Sequence, residues 1–270
     1  MDGATQIPLP TELILAKKQD GIGWLTINQP ERHNAISLAM WDAIGLAVED
    51  FAADPVVRVV VIHGAGGRSF AAGADISEFE KSRADAAGAA EYARRSAISR
   101  EALDRLEKPV IAMIQGYCIG GGLALALRAD LRLASPDSRF GIPAAKLGIA
   151  YGTEGLERLT ALVGPGMAKE ILFTGAQYTA AEALAMSLIN RVVAPEELEE
   201  TVRSLAGQIA RNAPLSLRAS KITVDQITGD PAKRDPERIA ALGSACFDSA
   251  DYAEGRRAFM AKRMPVFTGR

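Results

Sequence analysis

The sequence predicts an α/β fold in which short strands and helices alternate, followed by a region that is helical only. Runs rich in β-branched residues, such as VRVVVIHG at 57–64 and VIAMIQG at 110–116, lie between longer stretches whose apolar residues recur at helical spacing. Beyond Pro195 only helical patterns follow. We therefore predict two domains, a core over residues 1–200 and a C-terminal helical region over residues 201–270.

The first predicted elements are a hairpin and a helix. Two β-leaning runs at 12–28 are joined by Asp20 and Gly21, a dipeptide that tolerates positive φ and favours a tight hairpin. Ser37 is predicted to cap a helix that extends to Asp54. Its apolar stripe recurs at intervals of three and four and consists of Leu38, Trp41, Ile44, Val48 and Phe51.

The later elements alternate in the same way. A helix is predicted over about 84–107, and Pro109 then opens the second buried strand. A glycine-rich segment leads to a helix that ends near Arg128, and a strand is predicted at 131–134. Between 154 and 187 the pattern is helical in short pieces. This stretch has a break at Gly164-Pro165 and a capping box at Thr179 and Glu182, and a short strand follows it at 190–194.

Composition and charge exclude several classes of protein. A content of 48% hydrophobic and 24% charged residues is not that of a disordered or fibrous chain. With 31 basic and 33 acidic residues, the chain has no long-range field to attract nucleic acid or an anionic membrane. No window reaches the roughly 20 apolar residues of a membrane span. Cys118 and Cys246 show no metal-ligand spacing, so we expect reduced cysteines, a cytoplasmic protein and no metal.

Two segments share the order strand, glycine-rich turn, short helix: VVVIHGAGGRSFAAGADI at 59–76 and VIAMIQGYCIGGGLALAL at 110–127. A helix that starts after glycine exposes free N–H groups, and the missing Cβ atoms let a ligand approach the backbone. One such turn can bind a phosphate, and two that converge can hold one oxyanion. The alternative is that the glycines only permit tight turns and close helix packing. The fingerprints GxGxxG, GxxxxGK and GxSxG are absent, which disfavours nucleotide-binding domains and serine hydrolases.

Six segments carry a resemblance to a known family: NQPERHNAIS (28–37), RSFAAGADISEF (68–79), KPVIAMIQGYCIGGGLALAL (108–127), FGIPAAKLGI (140–149), LFTGAQYTAAEALAMSLINRVV (172–193) and AEGRRAFMAKRMPVF (253–267). In this order they resemble the crotonase, or enoyl-CoA hydratase/isomerase, superfamily. The resemblance implies a ββα spiral core with a C-terminal helical trimerisation region, assembled as a homotrimer or a dimer of trimers. It also implies an acyl-CoA thioester substrate, as in fatty acid metabolism, with coenzyme A as part of the substrate and no separate cofactor.

The resemblance also assigns site residues. The backbone N–H groups of Ala74 and Gly121 would form an oxyanion hole for the thioester carbonyl. Phe259 and Lys262 would reach the nucleotide end of CoA, often from an adjacent subunit. The other residues implied to contact the substrate are Arg32, His33, Ala35, Ala72, Asp75, Ile76, Gly120, Pro143 and Ala144.

The chain departs from the family pattern at the residues that transfer protons. The two glutamates of the hydratases would fall at Ala124 and Ala144, and a carboxylate used by some relatives would fall at Gly152. Tyr151 and Glu154 remain nearby as candidate catalytic residues. Either Tyr151 bonds the substrate or delivers a proton, or it only fills the pocket. The resemblance therefore favours the name enoyl-CoA hydratase, with enoyl-CoA isomerase, a malonyl-type acyl-CoA decarboxylase and a non-catalytic acyl-CoA-binding oligomer as alternatives.

Overall fold

The computed structural model describes residues 4–75 and 86–270, and these residues form eleven strands and nine α-helices. The strands are β1 (Thr5–Ile7), β2 (Ile14–Gln19), β3 (Ile22–Ile27), β4 (Val59–Gly64), β5 (Ser69–Ala71), β6 (Val110–Ile114), β7 (Tyr117–Ile119), β8 (Leu131–Ala134), β9 (Arg139–Gly141), β10 (Tyr178–Thr179) and β11 (Arg191–Val192). The helices are α1 (Leu38–Ala53), α2 (Ala86–Arg105), α3 (Gly121–Ala126), α4 (Thr153–Thr174), α5 (Ala180–Ala185), α6 (Pro195–Ala210), α7 (Pro214–Thr228), α8 (Pro236–Phe247) and α9 (Ala250–Met260). None of these helices is long and apolar enough to cross a membrane.

The strands form two sheets. The larger has the order β1-β2-β3-β4-β6-β8-β11, with antiparallel pairing up to β3 and parallel pairing from there to β11. The smaller has the order β10-β9-β7-β5, in which β5, β7 and β9 are parallel. Helices connect the parallel strands of the larger sheet, so the predicted α/β fold class is confirmed.

The predicted hairpin and first helix are confirmed. Asp20 and Gly21 have φ of +53° and +78° and connect β2 to β3. Ser37 caps α1, and its Oγ accepts the N–H of Met40 at 3.2 Å. The helix ends at Ala53, one residue before the predicted end. The predicted stripe packs into the core, with Leu38 half-buried and four residues buried, namely Trp41, Ile44, Val48 and Phe51.

Most later predictions are also confirmed, some with shifted ends. The described part of α2 begins at Ala86, and β8 has the predicted bounds. α4 contains the predicted break, where Gly164 has φ +76° and ψ 162°. Thr179 and Glu182 form the predicted capping box: each side chain accepts the backbone N–H of the other, at 3.2 Å and 2.7 Å. α3 ends at Ala126, two residues before the predicted end near Arg128.

The smaller sheet was not predicted from the sequence. Its strands have only two or three residues each, which is too short for an alternating pattern to be recognised. The predicted boundary at residue 200 falls inside α6. This helix buries Leu198, Val202 and Ala206 against the larger sheet, in one cluster with Trp24 and Val61. The helix therefore packs with the core, and the division of the chain into two domains stays a prediction.

Asn34 holds the loop between β3 and α1 in place. The side chain is fully buried, and its Oδ1 accepts the N–H of Gln29 at 2.9 Å. Its Nδ2 donates to the carbonyl oxygens of Ala65 at 3.0 Å and Ser69 at 2.7 Å. One side-chain amide thus satisfies three backbone groups from two separate turns. The residue has a φ of +55°, a left-handed conformation that asparagine tolerates better than most residues.

Two acidic residues of α9 fix the C-terminal tail. Asp251 is buried and accepts the N–H groups of Thr268 and Gly269 at 2.7 Å and 2.8 Å. Glu254 accepts both terminal nitrogens of the Arg263 guanidinium, at 2.6 Å and 3.0 Å. The tail is thereby folded back onto the helix that carries the predicted CoA contact Phe259.

We expect Asn34→Ala to lower the free energy of unfolding by about 3 kcal/mol, because several buried backbone groups lose their hydrogen-bond partner. Chemical denaturation measures this change. Asn28 lies in the same loop as Asn34, and its side chain makes an exposed hydrogen bond to the carbonyl oxygen of Glu12. Asn28→Ala is therefore the matched control and should lower the free energy of unfolding by less than about 1 kcal/mol. Equal losses for the two variants would contradict the anchoring role of Asn34.

The tail contact should depend on the charge of Glu254. Two hydrogen bonds lower the pKa of Glu254 to about 2 from the ordinary 4.5. The larger effect comes from the Arg263 guanidinium and the smaller from the N–H of Val266. A depressed carboxyl pKa means that the stabilisation is complete above the ordinary value and is lost as pH falls through about 2. An NMR pH titration of the Val266 amide should therefore show its midpoint near pH 2.

Glu254→Gln should accelerate hydrogen exchange of the Val266 amide at neutral pH, because that amide donates to Glu254 Oε1 at 3.1 Å. The exposed Glu237, changed to Gln, serves as the control and should leave this exchange rate unchanged. A midpoint near 4.5, or unaltered exchange in Glu254→Gln, would show that the charge does not anchor the tail.

Candidate functional site

Three parallel strands of the smaller sheet end at one edge. Ala71 at the end of β5 pairs with Cys118, and Ile119 at the end of β7 pairs with Gly141 at the end of β9. The carboxyl ends of parallel strands lie side by side, so the chain segments that follow them are neighbours. These segments contain the predicted site residues Ala74, Gly121 and Ala144.

The N–H of Ala74 points away from the neighbouring chain. Ile36 forms a parallel bridge with Ala74, in which the Ile36 N–H donates to the Gly73 carbonyl at 2.8 Å and the Asp75 N–H donates to the Ile36 carbonyl at 3.2 Å. Successive backbone groups alternate in direction along such a ladder. The Ala74 N–H therefore lies on the opposite side, and no described residue accepts it.

The three consecutive glycines have three different roles. Gly120 has φ +54° and ψ −113°, a conformation open only to glycine. A Cβ on Gly122 would collide with the carbonyl oxygen of Ala71, so this glycine permits close packing. A Cβ on Gly121 would meet the Ala74 nitrogen at 3.5 Å, an ordinary contact distance. Gly121 is also the first residue of α3, where the N–H has no partner within the helix.

Ala74 and Gly121 are therefore neighbours in space, and neither N–H has an acceptor in the described part of the chain. The segments that carry them come from different turns and are adjacent because β5 pairs with β7. The packing role predicted from the sequence is confirmed for Gly122. Gly121 lies beside Ala74, and its role as an oxyanion donor stays a prediction.

Arg32 and Asp75 form an ion pair across the two loops. Their side chains meet at 3.0 Å between Nη1 and Oδ2, with Asp75 buried and Arg32 57% exposed. Gln29 Nε2 donates to the same carboxylate oxygen at 3.5 Å. The pair ties the loop after β3 to the loop that carries Ala74, and the Asp75 carboxylate is engaged within the protein.

The remaining predicted residues of these loops are close together. His33 accepts the N–H of Ala72 on its carbonyl oxygen at 3.0 Å, and its Nδ1 lies 3.2 Å from Ser69 Oγ. Ala35 is half-buried in the same loop. Ile76, also predicted to contact the substrate, lies outside the described residues. Asn34 was not predicted, although its position between two selected residues and its tolerance of positive φ were signals for it.

The third segment at the edge is apolar where hydratases carry a carboxylate. Pro143 lies beside Gly120, since a Cβ on that glycine would be 4.0 Å from the proline Cδ. Ala144 is buried, Ala124 is half-buried on α3, and an added Cβ on Gly152 would meet nothing within 4 Å. None of the three positions can transfer a proton.

Tyr151 lies beneath the glycine turn. Its hydroxyl donates to the Gly120 carbonyl oxygen at 3.4 Å, and its ring packs so closely on α4 that a Cβ on Gly155 would be 2.6 Å from Cε1. Burial raises the pKa of Tyr151 well above its ordinary value of 10, so the hydroxyl keeps its proton at neutral pH. The backbone of Glu154 is in the first turn of α4, and its side chain lies outside the described part of the structure.

Phe259 and Lys262 lie near the C-terminus. Phe259 is 82% exposed near the end of α9 and borders a surface cavity of about 450 Å³, together with Phe247 and Tyr252. Lys262 follows the helix in a left-handed conformation, with φ +51°. Contact of these two residues with the nucleotide of CoA stays a prediction.

The sequence and the structure both match those of known proteins. The family model of enoyl-CoA hydratase/isomerase matches residues 17–270. Crotonyl-CoA hydratase of Syntrophomonas wolfei is 37% identical over 260 residues, which cover 95% of this chain and 98% of the relative. Carnitinyl-CoA dehydratase of Salmonella arizonae is 36% identical over 250 residues, which cover 91% of this chain and 94% of the relative.

A crystal structure of an enoyl-CoA hydratase/carnithine racemase from Magnetospirillum magneticum superimposes with a TM-score of 0.91 at 37% identity, covering 98% of this chain and 97% of the other. The match extends over both sheets and the C-terminal helices, so it supports the crotonase fold that the sequence motifs implied. The chain belongs to the enoyl-CoA hydratase/isomerase family of enzymes.

Proposed function

We propose that this enzyme binds an acyl-CoA thioester and stabilises negative charge on its carbonyl oxygen with the N–H groups of Ala74 and Gly121. The observation that carries the proposal is that these two residues are neighbours, with a Cβ on Gly121 3.5 Å from the Ala74 nitrogen, and that both N–H groups lack an acceptor among the described residues. Two fixed donors favour an enolate over the neutral carbonyl, and each contributes roughly 3–4 kcal/mol in comparable sites.

The substrate class follows from the relatives. Their names specify crotonyl-CoA and carnitinyl-CoA, both CoA thioesters. We assign the same class to this chain, with coenzyme A as part of the substrate and no separate cofactor. Arg32, His33 and Lys262 are the proposed partners of the CoA phosphates, because each combines a basic side chain with exposure or half-exposure.

Hydration of an enoyl-CoA, or its reverse, is the first candidate reaction, because the relatives are named hydratases and dehydratases. Addition of water requires a group that activates the water and one that protonates the α-carbon. Ala124 and Ala144 supply neither. Of the residues selected from the sequence, Glu154 and Tyr151 are left for these steps, and the raised pKa of Tyr151 makes this tyrosine a poor base.

The same two alanines favour a second candidate, decarboxylation of a malonyl-type thioester. There the C–C bond to the carboxylate breaks, its electron pair forms the enolate, and carbon dioxide leaves without a base. Only the final protonation of the α-carbon needs a proton source. Isomerisation of a double bond requires proton transfer in both directions and suits these alanines less well.

We also propose a cytoplasmic enzyme that assembles as a trimer or a dimer of trimers. Several apolar side chains of the C-terminal region are at least 73% exposed in the single chain: Phe259, Met260, Met264 and Val266. Large exposed apolar side chains this close together in the chain support an interface between proteins at this end of the chain. Light scattering should give three or six times the mass of one chain, and a monomer would contradict this assembly.

One set of assays separates the candidate reactions. Hydration removes the absorbance of the conjugated enoyl thioester, and decarboxylation releases carbon dioxide from malonyl-CoA or a substituted malonyl-CoA. If thermal shift shows binding of acyl-CoA without either reaction, the protein is a non-catalytic binder. Stabilisation by NAD or ATP but by no CoA ester would overturn the proposal.

A pair of glycine substitutions tests the amide pair. Gly121→Ala should fold and bind CoA but lose about 10²- to 10³-fold in kcat, because the methyl group occupies the space beside the Ala74 nitrogen. Gly122→Ala should instead lower the free energy of unfolding by about 1–3 kcal/mol or more, since its methyl group meets the Ala71 backbone. Steady-state kinetics and denaturation measure the two effects. Full activity of a folded Gly121→Ala would contradict the proposal.

A further inference from the structure

The geometry points to Tyr151 as a positioning residue that strengthens the Gly121 N–H through the peptide unit it shares with Gly120. The hydroxyl contacts the carbonyl end of this peptide, and the proposed oxyanion donor is its amide end. This inference rests on the proposed function, because it concerns the donor strength of the same amide.

The carbonyl oxygen of Gly120 has two donors. The N–H of Ala124 lies 2.9 Å from it and the hydroxyl of Tyr151 lies 3.4 Å from it. In a trans peptide the C=O and N–H point in opposite directions, and the described chain contains no cis peptide bond. A hydrogen bond accepted by the carbonyl draws electron density from the nitrogen, so the N–H on the far side becomes a better donor.

Tyr151 is held in the orientation that this contact needs. Its ring is in contact with the main hydrophobic core and rests against Gly155, where even a methyl group would displace it. Position 155 therefore requires glycine, because any side chain there would collide with the ring of Tyr151. Because burial keeps the phenol protonated, the hydroxyl can act as a donor over the whole neutral range.

The size of the effect distinguishes this role from proton transfer. Polarisation by one added hydrogen bond strengthens another by about 10–30%, and an oxyanion donor is worth about 10²- to 10³-fold in rate. Loss of the hydroxyl should therefore lower kcat about 2- to 8-fold. A general acid or base would instead cost about 10²- to 10⁴-fold. A tyrosine that only fills space would leave the carbonyl of the bound substrate unaffected.

The test compares Tyr151→Phe with Tyr178→Phe. Tyr178 is buried, whereas Tyr151 is half-buried, and the Tyr178 hydroxyl likewise donates, at 3.3 Å, but to the Glu170 carboxylate. The probe is a conjugated dienoyl-CoA, whose absorbance shifts to the red when its thioester carbonyl is polarised. We expect a smaller red shift and a 2- to 8-fold lower kcat with nearly unchanged KM for Tyr151→Phe, and no change in either for Tyr178→Phe.

A second variant covers the case in which Tyr151→Phe does not fold. A fluorinated tyrosine at position 151 keeps the shape and makes the hydroxyl a stronger donor, so the red shift should increase. An unchanged red shift in a folded variant at position 151 overturns the inference, and an unchanged shift with a loss of kcat above 10²-fold assigns proton transfer instead. If the unsubstituted protein binds the probe with no red shift at all, the proposed function itself fails.

Discussion

The parallel pairing of β5, β7 and β9 is the constraint on which the site depends. It brings three chain segments that are distant in sequence to one edge, where Ala74, Gly121 and Ala144 become neighbours. The loop after β3 then packs against this edge through the Ile36 bridge and the ion pair between Arg32 and Asp75. If this short sheet were lost, the segments that carry Ala74 and Gly121 would no longer be adjacent.

Much of the fold could be predicted from local physical chemistry. Ser37, the Asp20-Gly21 turn and the capping box at Thr179 and Glu182 act over a few residues, so their sequence signals are sufficient. The smaller sheet could not be predicted, because strands of two or three residues have no detectable period and their pairing is decided by distant parts of the chain.

The candidate site was predicted unevenly for the same reason. Motifs located the residues, but only the structure distinguishes the glycines, since Gly122 is required by contact with Ala71 and Gly121 leaves space beside Ala74. Likewise, the sequence places Tyr151 near the site without indicating that its hydroxyl meets the Gly120 carbonyl. Such roles depend on which backbone atom lies opposite a side chain, and this is determined by the tertiary structure.

The site combines a proposed oxyanion hole with apolar residues where proton-transfer groups are expected, so charge stabilisation on the carbonyl oxygen is the central claim of the proposal. The most direct measurement is a crystal structure of the protein with a bound acyl-CoA. The account predicts the thioester oxygen at about 2.7–3.1 Å from the nitrogens of both Ala74 and Gly121. A thioester oxygen bound elsewhere, or within hydrogen-bonding distance of only one of the two nitrogens, would contradict it.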